Sequence, residues 1–327
     1  MPVIDAVAGK SRRFLFAALL LIGAIWGLTV PLTKLAVSTG HGAFGLVVWE
    51  MFFGVLVLAF LVRIRGRFPR IRSENLGLIL FISIFGTLIP TSLWFLTARY
   101  LPAGIMAIII SLAPMFTLPV ALMIGLERFS LMRLTGLMLG ALSVALLTLP
   151  ETSLPEASMI GWLLLALGCP LCYGIEGNGV ARMGLGGLDP VEALLGASVI
   201  SLLAALPLAL ASGQWFGMWR PWGQAEYALL ASSVLTVLAY AGYVWLVTEA
   251  GSVFAAQVSY LVTGFGVFWS ISLLEESYSG WVWLALMAML AGLFLVVPKQ
   301  AGNPLLVQPD PLAPAAPNHD NRFRAGD

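Results

Sequence analysis

The chain has 327 residues, 60% of them hydrophobic and only 10% charged, with a mean hydropathy of +0.95 and a formal net charge of +1. A soluble domain carries about 25% charged residues, so this deficit points to a bilayer. The neutral balance argues against a nucleic-acid partner, and two cysteines are too few for a disulfide scaffold.

Lys10, Arg12 and Arg13 precede an apolar run from Phe14 to Val37. A secretory signal has an apolar core of about 7–15 residues, so this longer run reads as a first membrane helix. Runs of similar length follow at Ala43–Val62, Leu76–Leu96, Ala103–Gly125 and Leu131–Leu149. Five more lie at Ile160–Val180, Val191–Ala211, Tyr227–Val247, Val253–Leu274 and Trp281–Val297. Lipid offers no partner to backbone N–H and C=O groups, and none of these runs alternates as a barrel strand would. The expected fold is an all-α integral membrane protein with ten transmembrane helices.

With the N-terminus placed in the cytoplasm, 14 of the 17 basic residues fall on the inner side and only Arg99 and Arg220 outside. Lys34 lies within the first span. The positive-inside rule then puts both termini in the cytoplasm. The segment from Ser111 to Leu147, two apolar helices joined by the turn Leu126–Ser130, recurs near the end of the chain. Aligning Glu127 with Glu276 brings Phe129-Ser130 onto Tyr278-Ser279. This predicts two five-helix repeats, residues 14–149 and 159–297, joined by an outer linker at 150–158. Five is odd, so the second repeat is expected inverted, as in many secondary transporters. Residues 1–13 form a cytoplasmic lead, and the proline-rich segment 298–327 reads as a disordered cytoplasmic tail.

Trp26-Gly27, Ala103-Gly104, Pro114, the Gly-Leu-Glu-Arg turn at 125–128 and the Glu-Glu-Ser turn at 275–277 occur in an order that resembles the drug/metabolite transporter superfamily, EamA type. The resemblance covers residues 14–297. It implies ten helices with both termini inside, and transport, often export, of amino acids, other metabolites or small toxic compounds. Many members place an Arg near the middle of the second helix, where this chain has Trp49-Glu50-Met51. That departure weakens the case for an anionic substrate. A bacterial-type plasma membrane, a small-molecule substrate and no cofactor complete the expectation. The rivals are an uptake permease, and a receptor or scaffold that moves nothing.

Pro31 in the first span and Pro170 in the sixth predict an interrupted helix in each half. By the repeat, Trp26-Gly27 falls on Tyr173-Gly174 and Thr29 on Glu176. Matching broken helices point to a transporter's binding site, though the glycines also serve close helix packing. The candidate substrate residues are Trp26, Thr29, Trp94, Ser111, Tyr173, Asn178, Tyr243 and Tyr260. A charged carboxylate deep in lipid costs about 2.5–3.5 kcal/mol or more. Glu50 and Glu176 must therefore face the interior, find a partner or hold a proton, which makes them candidate proton carriers. Lys34 either partners Glu50 or snorkels to the interface. Cys169 and Cys172 sit in an apolar run and read as structural thiols. His41 and His319 are too far apart in the chain's layout to form a catalytic or metal cluster, and no phosphate loop occurs, so no enzyme is expected.

Overall fold

The computed structural model describes residues 12–66, 72–127, 129–149, 154, 156, 158–219 and 221–296. Much of the expected outer linker, part of the basic loop at 63–72, and the proline-rich tail lie outside the described residues. Among the described residues the secondary structure is helical throughout.

Nine helices are long and apolar enough to cross a membrane. They are α1 (Arg13–Val37), α2 (Ala43–Ile64), α3 (Ser73–Ala98), α4 (Ala103–Met123), α5 (Leu131–Thr148), α6 (Met159–Met183), α7 (Pro190–Ala211), α8 (Gln224–Val247) and α9 (Phe254–Leu274). A shorter apolar helix, α10 (Gly280–Val296), follows. The main core gathers the fully buried stretch Ile105–Ile109 of α4 with Leu147 of α5 and Met289 and Leu293 of α10. Burying such residues stabilises less in lipid than in water, so shape fit and small residues carry the packing.

Two glycines mark close helix approaches in the two halves. A Cβ on Gly27 of α1 would stand 2.8 Å from the Gly266 backbone nitrogen and from Phe265 Cβ of α9. A Cβ on Gly174 of α6 would stand 2.9 Å from the Phe116 carbonyl carbon and the Thr117 nitrogen of α4. Both glycines therefore serve backbone-to-backbone contact. The sequence left packing and site-lining open here; the glycines pack, and the aromatics beside them, Trp26 and Tyr173, remain half-buried.

The expected break in α1 does not occur: the helix runs unbroken through Pro31. Packing against α8 and α9 along its length holds it together, while Thr33 Oγ1 donates to the Thr29 carbonyl within the same turn. Membrane helices tolerate proline where neighbours and hydroxyl side chains compensate in this way. The break in α6 does occur, at Leu167, three residues ahead of Pro170. Interruptions also appear in α4 at Ser111-Leu112 and in α9 at Gln257. In α3 the segment Ser83–Leu88 forms a π-helical turn. Thr87 Oγ1 donates to the Ser83 carbonyl there at 2.8 Å, and Ser201 Oγ of α7 lies 2.8 Å from Ser83 Oγ.

Candidate functional site

Several interior candidates lie within contact or electrostatic reach of one another. Trp26 of α1 meets Tyr243 of α8 edge to face, with ring centroids 6.1 Å apart. One turn away on α8, Tyr240 lies within electrostatic reach of both Tyr243 and Glu176 of α6. Tyr173, one turn before Glu176, is in turn within reach of Glu176 and of Glu50 on α2. At 1.5 Å per residue, Glu50 lies about 10 Å below the start of α2, and Glu176 lies about 10 Å above the end of α6. The two acids that act on Tyr173 are thus set at different depths.

Among the described residues neither acid forms an ion pair with a basic side chain. Glu50 Oε2 is buried with no protein group in hydrogen-bonding distance. The Glu176 side chain lies over the π-helical turn of α3, where a Cβ on Gly86 would stand 3.1 Å from its Cγ. Pro90, four residues on, has no N–H to offer the Gly86 carbonyl. π-Bulges of this type cluster at functional sites.

Lys34 is committed elsewhere. Its ammonium donates to the carbonyls of Ala98 and Leu101 at 2.8 Å, and to that of Arg99 at 3.3 Å. It therefore neutralises the negative C-terminal end of α3 instead of meeting Glu50, the first of the two roles open to it in the sequence. The helix end supplies three acceptors at one point, which a single carboxylate cannot match.

Several other candidates are tied into helix contacts. Asn178 Nδ2 donates to the carbonyls of Thr117 and Gly174 at 2.8 Å, joining α6 to α4. Ser111 Oγ bonds Thr263 Oγ1 across the α4–α9 crossing. Trp94 Nε1 donates to Thr33 Oγ1 at 3.2 Å, and Thr29 Oγ1 to its own helix at the Trp26 carbonyl. Tyr260 is half-buried against the main core. Cys169 and Cys172 are free and buried, with the Cys169 thiol on the Pro90 carbonyl.

At the end of the bundle bearing the α1–α2, α3–α4, α7–α8 and α9–α10 connections, polar bonds run between the two halves of the chain. Glu276 Oε1 accepts the Ala103 N–H at 2.9 Å and Oε2 the Gly104 N–H at 3.2 Å, capping α4. The Tyr278 hydroxyl donates to Glu276 and accepts the Gly104 N–H at 2.9 Å. Burial, with the Glu276 carboxylate beside it, pushes the Tyr278 phenol above its ordinary pKa. His41 lies 2.9 Å from Glu226, Gln214 accepts from Phe44 N, and Trp49 donates to the Phe216 carbonyl. Two cavities open here, of about 560 Å³ beside Lys34, Arg99 and Glu276 and about 450 Å³ beside His41, Arg99 and Gln214. Neither contains Glu50, Tyr173 or Glu176.

The sequence missed Tyr240 as a link and Glu276 as a cap. The repeat marked Glu276 as a turn residue, but only the fold brings that turn to the start of α4. Among the described residues no group of His, Cys, Asp and Glu is arranged to hold a metal ion.

The EamA-like transporter family matches residues 14–149 and again residues 160–297. The chain belongs to that family. EamA proteins are drug/metabolite transporters, so this member is a multi-pass membrane protein of a transporting family. Fifteen solved chains share the fold. One, described only as the crystal structure of a protein, superposes with a TM-score of 0.61 over 88% of this chain and 97% of its own, at 15% identity. None of the curated proteins matches this EamA member in sequence.

Proposed function

We propose that this chain is a secondary active exporter of small metabolites such as amino acids or related compounds, working by alternating access and coupled to protons through Glu50 and Glu176. It sits in a bacterial inner membrane with both termini in the cytoplasm, as the bias of basic residues supports. The observation that carries the mechanism is a pair of interior acids that both act on Tyr173, one of them, Glu50, with a buried oxygen that has no hydrogen-bond partner among the described residues. A proton on each offsets the cost of a carboxylate at that depth, and a change of access lets each exchange it with a different side.

In this reading α10 is the tenth span, and residues 14–149 and 159–297 are inverted five-helix repeats flanking a short outer linker. The helix contacts support it. Gly27 of α1 meets Phe265-Gly266 of α9, and Gly174 of α6 meets Phe116-Thr117 of α4. The alignment that places Glu127 on Glu276 also places Phe116 on Phe265, so the two contacts exchange under the repeat. Likewise α1 packs on α8 and α9 as α6 packs on α3 and α4. The half-to-half bonds around Glu276, Gln214 and Glu226 support a conformation closed at the outer end, with entry from the cytoplasm. Candidate substrate contacts are Trp26, Tyr173, Tyr243 and Tyr260, with Thr29, Trp94, Ser111 and Asn178 acting through the helix bonds above.

The test is reconstitution of the full chain into vesicles with a pool of labelled metabolites and an imposed pH gradient. Uphill movement of at least one solute, absent from empty vesicles, supports transport; a protein that binds solutes and moves none is a receptor.

A further inference from the structure

The charge of the interior is unbalanced, and the imbalance bears on what can bind there. Glu50 and Glu176 reach the bundle interior from α2 and α6, and Tyr173 lies within electrostatic range of both. Lys34, the cation within the first span, is held by three carbonyls at the end of α3. Among the described residues no Lys or Arg forms an ion pair with either acid; the ion pairs present are His41–Glu226, Arg65–Asp189 and Arg133–Glu127, outside this region. Glu50 Oε2 is buried with no donor in reach. Tyr173 and Tyr240 lie within electrostatic range of Glu176, with Tyr243 and Trp26 next in line; aromatic faces attract cations and offer nothing to an anion. A free carboxylate entering this interior would meet two acids and no counter-charge. An ammonium would satisfy Glu50 and stack on aromatic rings.

Resting on the transport reading above, we propose that the substrate carries a net positive charge: a protonated or quaternary amine without a free carboxylate, with Glu50 as its principal counter-ion. Amines, amino-acid amides and esters fit; zwitterionic and anionic amino acids do not. The candidate substrate class thereby narrows from metabolites in general to monocationic amines. The aromatic rings near Tyr173 set the apolar end, and Glu50 selects the charge.

Two matched series separate the charges while holding shape fixed: phenylalanine amide, phenylalanine and 3-phenylpropanoate, then leucine amide, leucine and 4-methylpentanoate. Each is added to the purified full-length protein, and thermal stabilisation and tryptophan fluorescence are read. The expected result is binding by the amide of at least one series, with its zwitterion and anion silent. Glu50→Gln should weaken that binding roughly 30-fold or more, because a buried charge loses its partner. Glu50→Asp keeps the charge and should recover most of it, which separates a counter-ion from a residue needed only for folding. Comparable binding of a zwitterion or anion, unchanged amide affinity in Glu50→Gln, or no amide binding in either series would overturn the proposal. Flux of the same probes in vesicles distinguishes the two readings. Amide binding without flux removes transport and leaves the charge assignment; flux of the free amino acid does the reverse.

Discussion

Glu276, in the turn after α9, accepts the backbone N–H of Ala103 at the first turn of α4. The two residues are 173 positions apart, so one carboxylate fastens the second half of the chain to a helix of the first. Losing such a cap costs about 0.5–2 kcal/mol. In a two-state transporter that loss shifts the population several-fold toward opening at this end. Glu276→Ala should therefore raise the labelling rate of Ser38→Cys by a membrane-impermeant maleimide added outside, with the protein still folded. An unchanged rate would make Glu276 a static cap.

Tyr278 shares that latch, and its raised pKa fixes the sign of its pH dependence. A phenol whose folded pKa lies above its unfolded value of about 10 contributes fully below that value and is lost as pH rises through the folded one. The stability difference between wild type and Tyr278→Phe should be constant from pH 6 to about 9 and change only in stronger base. Thermal melts across that range check it; a midpoint difference that varies near neutrality would point to another titrating group.

The glycine contacts predict an asymmetry between positions. Ala at Gly27 or Gly174 places a Cβ within 2.9 Å of neighbouring backbone and should cost about 1–3 kcal/mol by overpacking. Ala at Gly54, which has nothing within 4 Å, should be neutral. Melting of the three variants in one detergent compares them. Equal behaviour would mean the α1–α9 and α6–α4 approaches are looser than described.

Topology is tested by the same chemistry. Ser212→Cys should label only from outside and Ser73→Cys only from the cytoplasm, following the basic residues at 63–72. Ser212 labelling from inside alone would reverse the orientation and the route of entry.

The membrane helices were legible because lipid demands long apolar runs, and the expected ends fall within a few residues of the observed ones. The first helix misled because Pro31 speaks for local geometry alone, and packing on α8 and α9 decided otherwise. Lys34 misled for a similar reason. Its nearest acid in the chain is Glu50, but its best acceptors are three carbonyls sixty-odd residues away, visible only once α1 lies beside the end of α3. Glu50 and Glu176 stood out at once, since a carboxyl within an apolar run has few ordinary explanations. Tyr240 did not, because one tyrosine among many aromatics carries no mark of its neighbours.

The most direct measurement compares wild type with Glu50→Gln and Glu176→Gln in vesicles, using a labelled solute that the wild type carries. Gln keeps the size and hydrogen bonding of the acid and removes its titration. The account predicts that either substitution abolishes accumulation driven by an imposed pH gradient, while downhill exchange stays measurable in Glu176→Gln. Full gradient-driven accumulation by both variants would contradict it.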